Sequence, residues 1–266
     1  MKFNPIFKNI RIEKLLQYFD DYKIFTKKNF EKIKETDLTL KDKNVSPKNT
    51  KPLSPDLFDL YRLHQIVLKF KRTTVLEFGV GWSTKIFANA LLINKKNHSN
   101  NIKDLRFNNP FQVHSVDNFK KYINETKSKL SNDEKKNTFI KFSEVHMCKY
   151  NGIISTEYNY LPRINPDLIY LDGPSQYNVK GSINNISTAH KDFMPMSCDI
   201  LKIEYFLKPG TIIVIDGRTS NYRFLKNNLR RKWKFFDGLK GDQHYCFLDE
   251  SPLGELNAKQ NKFYFS

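Results

Sequence analysis

Cysteine is scarce: Cys148, Cys198 and Cys246 are all that the 266 residues hold. They are odd in number and far apart, so they form neither a disulfide framework nor a metal-ligand spacing, and a reducing cytoplasm is the expected compartment. No apolar run reaches the ~20 residues that cross a bilayer, and the first residues lack a signal-peptide h-region, so no transmembrane segment is expected. No internal repeat is visible. The phosphate loop of nucleotide triphosphatases is missing too, which disfavours that hydrolysis. Acidic residues are few: 28 Asp and Glu against 45 Lys and Arg leave a formal charge of +17. Such a charge admits a nucleic-acid partner. The basic residues are spread along the chain, however, and neither an aromatic-interleaved RNA signature nor zinc-finger spacing accompanies them. A compositional bias toward Lys and Asn accounts for the charge as well, and an anionic glycan or phosphorylated substrate would use the same field.

With 39% hydrophobic residues there is enough apolar surface for a real core. Residues 1–55 read as a basic helical extension and linker, and 56–266 as the main domain. In the extension Ile10, Ile12, Leu15, Leu16 and Phe19 recur at helical spacing, and Tyr22, Phe25, Phe30 and Ile33 continue the stripe. Such a stripe packs on its own domain or on a second subunit, which leaves a dimerising arm or a lid open. Pro47, Pro52 and Pro55 mark an extended linker. Ser54-Pro55-Asp56 then opens a helix, with Ser54 as its cap.

From Thr73 onward strands and helices alternate, the pattern of a largely parallel sheet. Expected strands cover 73–78, 111–116, 138–146, 167–171 and 211–215, followed by a terminal pair at 233–236 and 244–248. Expected helices cover 83–92, 120–130, 198–207 and 222–229, and the polar stretch 94–110 reads as a surface insertion. Four of the strands run into an acid: Glu77, Asp117, Asp172 and Asp216. In an open parallel sheet ligands bind at the carboxyl ends of the strands. A single strand-end acid is usually a cap or turn residue, but four of them converge on one edge. Gly79 and Gly81 permit a sharp turn and close approach to backbone. The helix starting near Ser83 and Thr84 offers free N–H groups to an anion. Thr84 stands where a dinucleotide fingerprint has its third glycine.

These segments carry a resemblance. Val75-Leu76-Glu77-Phe78-Gly79-Val80-Gly81 resembles motif I of class I S-adenosylmethionine (AdoMet)-dependent methyltransferases, and His114-Ser115-Val116-Asp117 their second acidic strand end. Pro166 through Gly173 resembles their fourth strand, and Phe206-Leu207-Lys208-Pro209-Gly210-Thr211 through Asp216 their fifth. The resemblance spans roughly residues 56–250. It implies a Rossmann-like, seven-stranded, mostly parallel sheet with an antiparallel last strand and helices on both faces. It also implies a cofactor site of Glu77, Gly79, Gly81, Ser83, Thr84, Asp117 and Asp172, with Asp117 accepting both ribose hydroxyls.

By the same resemblance, Asp172 and Asp216 face the acceptor like the acidic pair with which small-molecule O-methyltransferases hold Mg2+. Gly217 stands where the catechol type has an amide ligand. Arg218 is instead a candidate anchor for an anionic acceptor. The long polar segment 172–199 is the expected acceptor loop, with Tyr177 for binding and His190 as a general base. O-methylation of a small molecule or glycan hydroxyl is the leading expectation. An RNA or protein methyltransferase is the charge-based rival, and a non-catalytic binding protein the rival from another class.

Overall fold

The computed structural model describes residues 10–26, 56–217, 219–236 and 243–266. At its centre are β1 (Thr74–Phe78), β2 (Gln112–Asp117), β3 (Thr138–Phe142), β6 (Leu168–Leu171), β9 (Ile212–Ile215), β10 (Trp233–Phe236) and β11 (His244–Leu248). They form one seven-stranded sheet in the order β10-β11-β9-β6-β1-β2-β3. Pairings from β3 through β9 are parallel, while β11 runs antiparallel to both β9 and β10. This is a Rossmann-like α/β sheet, as expected, and the order reverses beside β1.

Strand periodicity divides the core. Val75, Leu168, Tyr170, Ile212 and Val214 face one way and pack with α2 (Leu57–Lys69) and α3 (Trp82–His98). Leu76, Phe78, Ile169, Leu171, Ile213 and Ile215 face the other way, toward α6 (Asp199–Ile203) and α7 (Thr219–Asn228). β1, β6 and β9 are buried along their whole length, which explains their near-continuous apolar sequence. On the β2–β3 side lie α4 (Lys120–Lys129) and the short α5 (Asn132–Lys136).

From the N-terminal extension α1 (Ile12–Asp21) buries Leu15 and Phe19 in the first of these clusters, on its own domain. Tyr18 Oη lies 2.5 Å from His64 Nδ1, and His64 Nε2 lies 3.0 Å from Asn89 Oδ1. Burial lowers His64 to a pKa of about 4, so a neutral imidazole joins α1, α2 and α3. Phe30, Ile33 and the linker prolines lie outside the described residues, as do Ser54 and Pro55. The cap of α2 is Asp56, whose Oδ1 accepts from Phe58 N at 2.9 Å and Asp59 N at 3.3 Å.

Two expectations need correction. The stretch 94–110 is no simple insertion: α3 continues to His98, and Asn94 is buried, donating to the carbonyls of Val67 and Arg72. Residues 138–146 are not one strand. β3 ends at Phe142, and β4 (Val145–Tyr150) pairs with β5 (Ile153–Tyr158) in a second sheet, edged by β7 (Val179–Lys180) and β8 (Met196–Ser197). Its turn is Asn151-Gly152, both at positive φ, as tight hairpins demand. Finally, α8 (Glu255–Phe265) was not foreseen. Its Tyr264 ring lies 4.5 Å from the guanidinium of the fully buried Arg72, an attraction that strengthens when desolvated. Among the described residues no helix is long and apolar enough to cross a membrane.

Candidate functional site

Register gathers the candidate residues. Phe78 is level with Val116 and Leu171, and Leu171 with Ile215. One step further along, Gly79, Asp117, Asp172 and Asp216 therefore share a row at the carboxyl edge. The ladder continues into that row, with Gly79 N donating to Val116 O, Asp172 N to Phe78 O and Asp216 N to Leu171 O. Three acids thus arrive at one edge because three parallel strands end level.

Glu77 does not belong to that row. It lies two residues deeper, level with Ser115 and Tyr170, and is fully buried. Its Oε1 accepts from Ser83 Oγ at 2.6 Å, and its Oε2 from Thr84 Oγ1 at 2.7 Å and Ser115 Oγ at 2.6 Å. Burial pushes its pKa up to about 7 against the pull of these three hydroxyls. Glu77, Ser83 and Thr84 are thereby committed to one another and pin the first turn of α3 to β1 and β2. Thr84 Oγ1 also accepts from Gly81 N at 3.2 Å.

The two loop glycines differ. Gly79 has φ +88°, and a Cβ there would come within 2.9 Å of Asp172 O. Its freedom serves the crossing of two backbone segments. Around Gly81 an added Cβ would meet nothing within 4 Å. That open face is where a ligand can approach the loop backbone. Asp117, 4% exposed, closes the other side. Its Oδ2 accepts from Val80 N at 2.9 Å and its Oδ1 from Phe119 N at 2.6 Å. These two bonds orient the Asp117 carboxylate. Open space at Gly81 beside an oriented acid leaves the loop backbone within reach of a ligand.

Asp172 is exposed and Asp216 partly so. Tyr170 Oη donates to Asp216 Oδ2 at 2.5 Å. Burial, with the negative charges of Asp216, Asp172 and Asp59 nearby, holds the Tyr170 phenol well above its ordinary pKa. It therefore stays a protonated donor. Asp59 itself pairs with Arg62 on α2. Among the described residues no third His, Cys, Asp or Glu completes a cluster of ligand spacing with Asp172 and Asp216, whereas Mg2+ is typically held by carboxylates plus water or substrate oxygens. Arg218 lies outside the described residues.

Next to the row lies an open cleft of about 600 Å³. Its walls are Phe119 and Tyr122 after β2 and two stretches of the 172–199 loop, among them Tyr177, His190 and Phe193. Asn118 sets the loop in place, donating to the carbonyls of Ser175 and Asn178 and accepting from Ser175 N. Tyr177 presents an exposed ring. His190 Nδ1 accepts from the backbone N–H of Asp192 at 3.0 Å and Phe193 at 3.1 Å. A neutral ring so held carries its proton on Nε2 and is a donor; to act as a base it must first give up those bonds. Neither the glycine loop nor Asp172 and Asp216 line the cleft, which begins two residues beyond Asp117 and three beyond Asp172.

Sequence reasoning passed over Tyr170, Asn118 and Asp59. Tyr170 had a signal, as the one polar-tipped residue inside an aliphatic strand. Asn118, directly after the strand-end acid, had one too. Asp59 looked like an ordinary helix residue.

No protein-family model matches the sequence, and neither does any curated protein. Solved structures do align with it. An O-methyltransferase from Bacillus cereus in complex with SAH is 13% identical, with 89% of this chain and 97% of that one covered and a TM-score of 0.40. The O-methyltransferase TomG from Streptomyces achromogenes, in complex with SAM, is 12% identical over 71% and 78% of the two chains, TM-score 0.35. Human methyltransferase-like protein 13 in complex with SAH is 11% identical over 76% and 87%, TM-score 0.35. Likeness this distant carries no argument about activity, and the fold rests on its own strand order.

Proposed function

We propose that the chain is an AdoMet-dependent methyltransferase that methylates a hydroxyl of a small-molecule or glycan acceptor. The observation that carries this reading is the single row of Gly79, Asp117, Asp172 and Asp216 at the carboxyl edge, with open space at Gly81 and a cleft that begins two residues beyond Asp117 and three beyond Asp172. When bound, AdoMet supplies a methyl group on a sulfonium, ready for in-line displacement. Asp117, oriented by Val80 N–H and Phe119 N–H, accepts the two ribose hydroxyls. Asp172 and Asp216, at adjoining strand ends, accept the proton of the acceptor hydroxyl, and Tyr170 orients Asp216 for it. Tyr177 stacks on the acceptor, while His190 donates from Nε2. We assign the pair to proton acceptance; two carboxylates with water completing the shell would also hold Mg2+, and chelation separates the two roles.

The test is transfer of labelled methyl from AdoMet to a panel of phenols, monosaccharides and oligosaccharides. Replacing the acid that takes the proton, by Asp172→Asn or Asp216→Asn, lowers kcat about 100-fold or more with AdoMet affinity held. EDTA leaves the rate unchanged. Loss of activity in EDTA with recovery in Mg2+ would overturn the assignment of the pair, and transfer to RNA in preference to every hydroxyl compound would overturn the acceptor class.

A further inference from the structure

Away from the acidic row, the second sheet brings together side chains with a different chemistry. Cys148 on β4, Glu157 on β5 and Cys198, just after β8, place their ligand atoms within 4.8 Å of one another. We propose that these three residues bind a thiophilic divalent cation, with zinc the best fit.

Register explains the meeting. In the antiparallel hairpin Cys148 is level with Ser155 and His146 with Glu157, so Cys148 and Glu157 sit on one face. Cys198 is brought over that face as the long loop returns through β8, with Cys198 N donating to Thr156 O at 2.9 Å. The two sulfurs are 3.5 Å apart. Zn–S bonds of ~2.3 Å at a tetrahedral angle put two sulfurs about 3.8 Å apart, so the spacing nearly matches with no backbone movement. A Zn–O bond of ~2.0 Å requires a sulfur-to-oxygen separation of about 3.5 Å, against the 4.8 Å within which the ligand atoms lie here.

Lys202 pairs with Glu157 through Oε2. This leaves Oε1 for a metal and makes Lys202 the partner that orients a ligating carboxylate. Charge agrees: two thiolates, one carboxylate and Zn2+ sum to −1, and Lys202 offsets it. A fourth position stays open for water. Burial raises both thiol pKa values above the ordinary range. Both thiols must lose their protons to bind, so metal uptake releases protons. The site fastens the far end of the 172–199 loop to the hairpin, so loading should stiffen the loop that walls the cleft.

The test uses the full chain, stripped of metal under reducing conditions and given one equivalent of Zn2+ or Co2+. We expect one equivalent of zinc to survive gel filtration, a raised Tm, and a cobalt spectrum with thiolate charge-transfer and tetrahedral ligand-field bands. Cys148→Ser weakens zinc at least about 10-fold, and Cys246→Ser, altering a thiol buried in β11, does not. Zinc held equally by wild type and Cys148→Ser overturns the proposal. So does a wild-type protein that retains no zinc, or one that in air loses two hydrogens in mass and binds none, which would make the pair a disulfide. The cobalt spectrum of wild type decides the matter even if a cysteine variant fails to fold.

Discussion

Glu77 offers the sharpest division between a cofactor ligand and a structural anchor. Its three hydroxyl donors, at 2.6, 2.7 and 2.6 Å, come from the first turn of α3, just after the glycine loop, and from β2. Glu77→Ala strands all three in a buried space and leaves a void; at about 1–1.5 kcal/mol per bond it should cost about 3–5 kcal/mol. Glu77→Gln keeps the volume and one carbonyl acceptor, and a hydroxyl can turn to accept from the amide, so about 1 kcal/mol is expected at low pH. The pH dependence sets the two apart further. Burial raises the folded pKa from 4.5 to about 7. A carboxyl so shifted adds stability below its unfolded pKa and loses it as pH climbs through the folded one. Relative to Glu77→Gln, wild type therefore loses up to about 3 kcal/mol between about pH 5 and pH 8, which turns its advantage of about 1 kcal/mol at low pH into a deficit. Urea unfolding followed by circular dichroism at several pH values measures it. A Glu77→Gln protein as damaged as Glu77→Ala would refute the reasoning. A Glu77→Gln protein of native stability that no longer binds AdoMet would make Glu77 a cofactor ligand after all.

The loop glycines should separate by assay: Gly79→Ala meets Asp172 O at 2.9 Å and sits at φ +88°, costing about 1–3 kcal/mol of stability. Gly81→Ala, with open space around its new methyl, should fold normally and weaken AdoMet; thermal shift with and without cofactor reads both. His64, lowered to about 4 by burial, binds protons only after unfolding, so its contribution is full above about pH 6.5 and fades as pH falls toward 4. Imidazole NMR of the folded protein would contradict this if His64 titrated at its ordinary value.

Much of the sheet was legible because the strands that build it are short, apolar and punctuated. Thr74–Phe78, Leu168–Leu171 and Ile212–Ile215 are buried on both faces, so composition marked them without help from tertiary structure. The second sheet was not legible. Its strands Val145–Tyr150 and Ile153–Tyr158 mix polar and apolar residues, because one face meets α6 and the hairpin turn carries only Asn151-Gly152 as its signal. Among the acids, sequence placed Asp117, Asp172 and Asp216 at one edge but could not tell that Glu77 is two residues deeper. That distinction depends on register. It depends too on Ser83, Thr84 and Ser115 turning their hydroxyls inward, which no single-chain pattern displays. Asn94 and Arg72 likewise look like surface residues in sequence but are buried, with the Asn94 amide and Arg72 Nη1 donating to backbone carbonyls.

Calorimetric titration of the purified chain with AdoMet and S-adenosylhomocysteine tests the central claim most directly. Wild type should bind both at one site. Asp117→Ala, which leaves the ribose hydroxyls without their acceptor, should lose about 10-fold or more of that affinity while unfolding normally. A folded wild-type protein that takes up neither compound would contradict the account.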